Sequence, residues 1–270
     1  AGLAELVALR PPDAADDEPT TGAMPLTPME RWVTDGSPED VDQLVFRVML
    51  RPRKPLDPVL LESAFARLAE HHDALRLRLR RTPSGWEQSV APHDAGTSFT
   101  CRHDLSEVAA AAQDAAIAAA AGAVAATLDL ERGPIARAIL FDLGPKRAQR
   151  LLVVVHHFAF DAVSAVICAR DLEHVYGRLA RGEAPTLPRK TMSYRQWATR
   201  LAALGADTVL VEELGFWVRQ SRNGGPSLPT DFPAARATEA STQLLVRRLE
   251  PELTAMLVGG TAGHGRRPRP

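Results

Sequence analysis

Leu61, Ala64, Phe65 and Leu68 recur at three- and four-residue spacing, so Asp57 to His71 reads as a helix. Asp57 suits its cap and Pro58 its first turn. The same rule gives a helix start at Thr27-Pro28 and a helix from Ala162 to Leu179, whose face is Ala165, Cys168, Leu172, Val175, Tyr176 and Leu179. Two more helices follow, one capped by Ser193 with Tyr194, Trp197, Ala198 and Leu201 on a face, the other carrying Leu210, Leu214 and Trp217. An alanine-rich stretch from Leu105 to Leu128 reads as a long helix. Asp42 to Leu50 is a strand, and Ala74 to Arg80 alternates as a half-buried strand that turns through TPSG into WEQSV. Ala136 to Leu143 and Gln149 to Val155 form a second hairpin, its later arm a continuous apolar run suited to a sheet centre. Thr242 to Leu249 reads as a last strand and Pro251 to Leu257 as a short helix. Mixed hairpins and helices predict an α+β fold.

Outside these elements the pattern fades. Leu3, Leu6 and Val7 fit the last turns of an amphipathic helix over residues 2–9. Residues 11–25, rich in Pro, Asp, Thr and Gly, read as a linker, so the globular part is expected over 26–257. Ser221 to Ala237 is an irregular crossing, and 258–270 a flexible basic tail. The first residue is Ala1, which suggests a fragment or processed chain.

Composition narrows the function classes. Of 270 residues, 32 are Lys or Arg and 33 Asp or Glu, a net charge of −1, which offers no basic field for nucleic acid. No run is apolar enough to predict a membrane span. Cys101 and Cys168 lack metal-site spacing and read as two small buried thiols in a reduced, cytoplasmic setting. The pair His71-His72 sits at a helix end, where neighbouring side chains diverge and chelate poorly, so no metal is expected.

The chemistry-bearing candidate is His156-His157-Phe158-Ala159-Phe160-Asp161, placed where a buried strand gives way to a helix. Neighbours on an extended segment point to opposite sides. One imidazole can therefore enter a cavity while the other supports it. An imidazole titrates near neutrality and takes or gives a proton readily. The plainer alternative is two hydrogen-bonded histidines and an aspartate capping the helix.

These residues carry a resemblance. HHFAFDAVS (156–164) resembles the HHxxxDG motif of the condensation-domain superfamily of nonribosomal peptide synthetases, which shares the chloramphenicol acetyltransferase-like fold. PLTPMERW (25–32), AEHHDALRLRLR (69–80) and LDLERGPIARAILFDLG (128–144) support it in the right order. LPRKTMSYRQWATRL (187–201) makes the chain most similar to epimerization domains. Residues 1–10 and the linker resemble the end of a carrier-protein domain. The resemblance implies the N-terminal lobe of a domain that converts a carrier-bound aminoacyl or peptidyl thioester from L to D. Condensation, or an inactive fragment that only docks a carrier, remain as alternatives.

It also implies roles. His157 would face the thioester as acid or base, with His156 beside it. Asp161 would be structural, desolvated and paired with Arg76, with Ser164 among the supporting residues; the alternative for Arg76 is a surface arginine. The substrate would arrive on the phosphopantetheine arm of a peptidyl carrier protein, with no cofactor bound by this chain itself. The second lobe of the domain, which supplies a partner glutamate, and neighbouring synthetase modules are the other implied partners. Two departures stand out. Ala162 replaces the motif glycine, and the second lobe has no counterpart here, so the chain by itself is expected to be inactive. Gly263-His264-Gly265-Arg266 echoes a second-lobe motif without its glutamate and is read as chance or a deletion remnant.

Overall fold

The computed structural model describes residues 20–205, 208–222, 229, 231, 238, 241–243 and 245–263. The helix expected over 2–9, most of the linker, most of the crossing and the histidine of the tail echo lie outside the described residues. The chain divides into two units, Ala1–Pro233 and Ala234–Pro270.

The first unit holds two sheets. A four-stranded sheet has the order β2-β7-β6-β5, built from β2 (Val45–Leu50), β5 (Thr100–Asp104), β6 (Ala136–Asp142) and β7 (Arg150–His156). Its pairs are antiparallel except β5 with β6, which run parallel, so the sheet is mixed. The two central strands bury both faces, which is why their sequences read as continuous apolar runs. Ala136, Ala138 and Leu140 of β6 pack with α2 (Pro58–His71) and α4 (Ala162–Leu179) on one face. Ile139 and Phe141 pack on the other face with Ala120, Ala121 and Val124 of α3 (Ala110–Ala125). The apolar stripes read for α2 and α4 are the ones that face this core.

The smaller sheet has the order β1-β4-β3, with β1 (Gly22–Met24), β3 (Leu77–Thr82) and β4 (Gly85–Val90). Thr82 pairs with Gly85 across the TPSG turn, and Gly85 there has φ +126°, which a side chain rarely adopts. Around it pack α1 (Pro28–Gly36) and α5 (Tyr194–Leu204). Thr27 and Glu30 close a capping box on α1, as Ser193 and Gln196 do on α5. The first unit also contains α6 (Thr208–Arg222), and in the second unit α7 runs Pro251–Gly263.

Several expectations need correction. Gly22–Met24 belongs to β1 with Met24 buried, so ordered structure begins inside the expected linker. Ala74–Arg76 form a 3-10 turn rather than strand, and β3 starts at Leu77. The alanine-rich helix is shorter than expected, since Leu105 to Val108 close a tight turn ahead of it. β5 was not foreseen. The described residues of Thr242–Leu249 form no strand; they pair with no other strand, and Leu245 and Val246 are exposed. Residues 258–263, expected as flexible tail, continue α7. Cys101 is exposed rather than buried. Among the described residues no helix is long and apolar enough to cross a membrane.

Candidate active site at the end of a central strand

β7 delivers the two histidines to its C-terminal end with opposite surroundings. His156 is 1% exposed. Its Nε2 donates to the Val41 carbonyl at 2.7 Å, and its Nδ1 accepts from the Phe158 backbone N–H at 3.2 Å. One nitrogen donates and the other accepts, which defines a neutral imidazole protonated on Nε2. His156 thereby clamps the turn that follows it to the 3-10 turn Val41–Gln43.

His157 is exposed. Its backbone N–H donates to the Leu44 carbonyl at 2.7 Å, and its ring meets the Phe46 ring edge-on at 5.3 Å between centroids. Phe46 in turn stands 5.6 Å from Phe160. The alternation anticipated from an extended HH pair is present: one ring sits in the core, the other stands free against an aromatic wall. Phe46, Val41 and Leu44 were missed in the sequence, where nothing sets them apart from other apolar residues.

Asp161 is exposed and caps α4. Its Oδ1 accepts from both the backbone N–H and the hydroxyl of Ser164, each at 2.7 Å. These bonds hold its carboxyl below the usual aspartate range. The expected Asp161–Arg76 pair is not formed. The Arg76 guanidinium donates to Asp73 Oδ1 at 2.8 Å, to the Glu70 carbonyl at 2.9 Å and to the Ala91 carbonyl at 3.0 Å, and also to the Ala69 carbonyl. The reason is local. The 3-10 turn Asp73–Arg76 brings its ends together, and the end of α2 offers carbonyls that have no partner inside the helix. Arg76 is buried, as a surface arginine would not be.

Other titratable groups are occupied elsewhere. His72 Nε2 lies 2.8 Å from Asp171, tying α2 to α4. Cys168 lines an apolar crevice with Phe160, Val48 and Leu172, and burial pushes its thiol up to about 12, so it stays protonated and is no nucleophile at neutral pH. Among the described residues, no group of three His, Cys, Asp or Glu could hold a metal.

Burial lowers the pKa of His156 below its ordinary 6.5. His71 is lowered as well, chiefly by burial. A depressed imidazole leaves the folded state neutral while the unfolded state takes up protons. The stability it contributes is whole above pH 6.5 and declines as pH falls below that value. We expect denaturant unfolding at pH 7, 6 and 5 to show falling stability, with a shallower slope in His156→Asn. A flat wild-type profile over that window would contradict the assignment.

The Condensation domain family matches residues 20–265. A linear gramicidin synthase polypeptide of Brevibacillus parabrevis is 34% identical over 245 residues, which cover 89% of this chain and 3% of that protein. A chondramide synthase of Chondromyces crocatus is 32% identical over 248 residues, covering 89% of this chain and 6% of its own length. The chain therefore spans a small part of these curated relatives. Among solved structures, the epimerization domain from the third module of tyrocidine synthetase B superposes with a TM-score of 0.71 at 28% identity, over 80% of this chain and 47% of that one. The first condensation domain of the calcium-dependent antibiotic synthetase shares the fold, with a TM-score of 0.65 at 18% identity over 76% of this chain and 49% of that one. With 246 of its 270 residues inside the family match, and with the paired histidines closing a central strand, the chain belongs to the condensation-domain family of nonribosomal peptide synthetases.

Proposed function

We propose that this chain is the N-terminal half of an epimerization domain, which inverts the α-carbon of an aminoacyl or peptidyl thioester presented on the phosphopantetheine arm of a carrier protein. The observation that carries the reading is the exposed His157 ring, held by a backbone that the buried His156 clamps. A thioester acidifies the neighbouring C–H. His157 takes that proton, and the electron pair left on carbon delocalises onto the thioester oxygen. A proton returned to the opposite face gives the D isomer, so a second group is needed across the substrate. The resemblance assigns that role to a glutamate of the second lobe. Phe46 limits how far the His157 ring swings, and Asp161 with Ser164 fixes the start of α4 behind it.

Epimerization is favoured over condensation by the segment Leu187 to Leu201 and by the likeness to a solved epimerization domain at 28% identity. The matched family is itself described by condensation, and the same histidine would serve amide formation. The discriminating assay loads the carrier with an L-aminoacyl group labelled with deuterium at Cα and adds the protein that carries this chain. Label loss with appearance of the D isomer supports epimerization. Peptide formation with retained label supports condensation. Because the chain spans 47% of the solved epimerization domain, we expect the chain alone to give no D isomer above a no-enzyme control on chiral analysis. Accumulation of D isomer from the chain alone would mean that it needs no second lobe.

A further inference from the structure

Behind the His157 turn lies a buried polar cluster that the proposed reaction leaves unused. Glu30 is 2% exposed, on the face of α1 that also buries Thr34, while Met29 and Trp32 stand in solvent. Its Oε2 accepts from the Thr27 backbone N–H at 2.6 Å and the Thr27 hydroxyl at 2.9 Å. Its Oε1 accepts from Gln88 Nε2 at 2.8 Å and from the Tyr194 hydroxyl at 2.8 Å. The capping box explains the Thr27 contacts. It does not explain why β4 and α5 each send a donor to the same oxygen.

The Tyr194 hydroxyl, whose one proton goes to Glu30, also lies 3.5 Å from the Phe158 carbonyl, beyond the usual O–H···O range, and Phe158 is the residue after His157. The Phe158 N–H is already held by His156 Nδ1, and the His157 N–H by the Leu44 carbonyl. Tyr194 therefore stands against the turn at Phe158, next to the residue that carries the exposed ring. Its ring packs in the cluster containing Phe158, Leu77 and Ala198. We propose that Tyr194, anchored by Glu30, is a positioning residue that sets the direction of His157 by holding Phe158 in place. Burial and the Glu30 carboxylate both push the Tyr194 hydroxyl up, which keeps it a donor at every working pH. The inference rests on the reading of His157 as the acid/base group, and extends it to α1 and α5, far from it in sequence.

The test uses the full-length protein that carries this chain, with two readouts. In Tyr194→Phe, kcat for α-proton exchange is expected to fall about tenfold with KM within about twofold of wild type, because a small misplacement of a reacting group costs turnover more than binding. Carbethoxylation of His157 by diethyl pyrocarbonate, followed by mass spectrometry, is expected to change about threefold or more, while the exposed His93 reacts as before. An unchanged His157 rate in the folded variant overturns the proposal. A second variant carries 4-aminophenylalanine at position 194 and so retains a donor on the same ring. It is expected to react at His157 as wild type does; a departure there also overturns the proposal, and the variant keeps the test decisive if Tyr194→Phe does not fold. Should wild type exchange no α-proton, epimerization fails as the function, while the carbethoxylation comparison still decides on Tyr194.

Discussion

Replacing His157 with alanine is expected to cut α-proton exchange on a carrier-bound substrate by about 10²–10⁴-fold in the complete domain. The same substitution should leave stability nearly untouched, because the ring is exposed and its packing is limited to an edge contact with Phe46. His156→Ala inverts the pattern. It removes a buried ring and leaves the Val41 carbonyl and the Phe158 N–H without their partner, a loss of about 1–3 kcal/mol for each buried group left unmade. Activity then falls through the fold. Measuring exchange in heavy water alongside denaturant unfolding for both variants separates the two roles. Wild-type exchange in folded His157→Ala would remove His157 from the chemistry.

The division between these two histidines was legible in the sequence, since a period of two along β7 forces neighbours to opposite sides. The apolar run before them was equally telling: strands buried on both faces need no polar alternation, and β6 and β7 have none. β5 was invisible for the converse reason. Four of its five residues are exposed, and TCRHD carries neither alternation nor an apolar run. It joins the sheet by backbone pairing with β6, helped by the Glu62 carboxylate on Thr100 and by Arg102 on Asp142, none of which a local pattern signals. The Thr242–Leu249 segment misled in the opposite direction, because strand-like composition makes a strand only where a neighbour completes its hydrogen bonds.

The polar partners were harder to read. Thr27 was visible as a cap, and T-x-x-E signals that Glu30 returns to it. Nothing local says that a carboxylate on an amphipathic helix is buried under Gln88 and Tyr194, 58 and 164 positions away. The pairing of Arg76 with Asp161 came from the resemblance, and the structure prefers a nearer carboxylate. A 3-10 turn closes over three residues, and Asp73 and Arg76 are three apart. A local contact of this kind needs no distant element to be in place first.

Arg76→Ala is accordingly expected to be the most destabilising of the site substitutions, by about 3–5 kcal/mol. The Arg76 and Asp73 side chains are 8% and 4% exposed, so deletion of the guanidinium leaves a carboxylate in a desolvated place. Lys190 stays 2.8 Å from Asp73 Oδ1 and offsets part of that loss, but it is itself 37% exposed. The carbonyls of Ala69, Glu70 and Ala91 lose a charged donor at the same time, which loosens the end of α2 from the segment that leaves β4. Asp161→Ala removes a helix cap alone and should cost about 0.5–2 kcal/mol. The two residues share no hydrogen-bond partner, so the double variant should lie within about 0.5 kcal/mol of the sum. Arg76→Ala combined with Asp73→Ala should fall well short of its sum, by about 0.5–3 kcal/mol, since the second change removes the charge that the first one stranded. Both cycles can be run by reversible denaturant unfolding. A large coupling of Arg76 to Asp161, with none to Asp73, would restore the long-range pair and reject the arrangement described for this site.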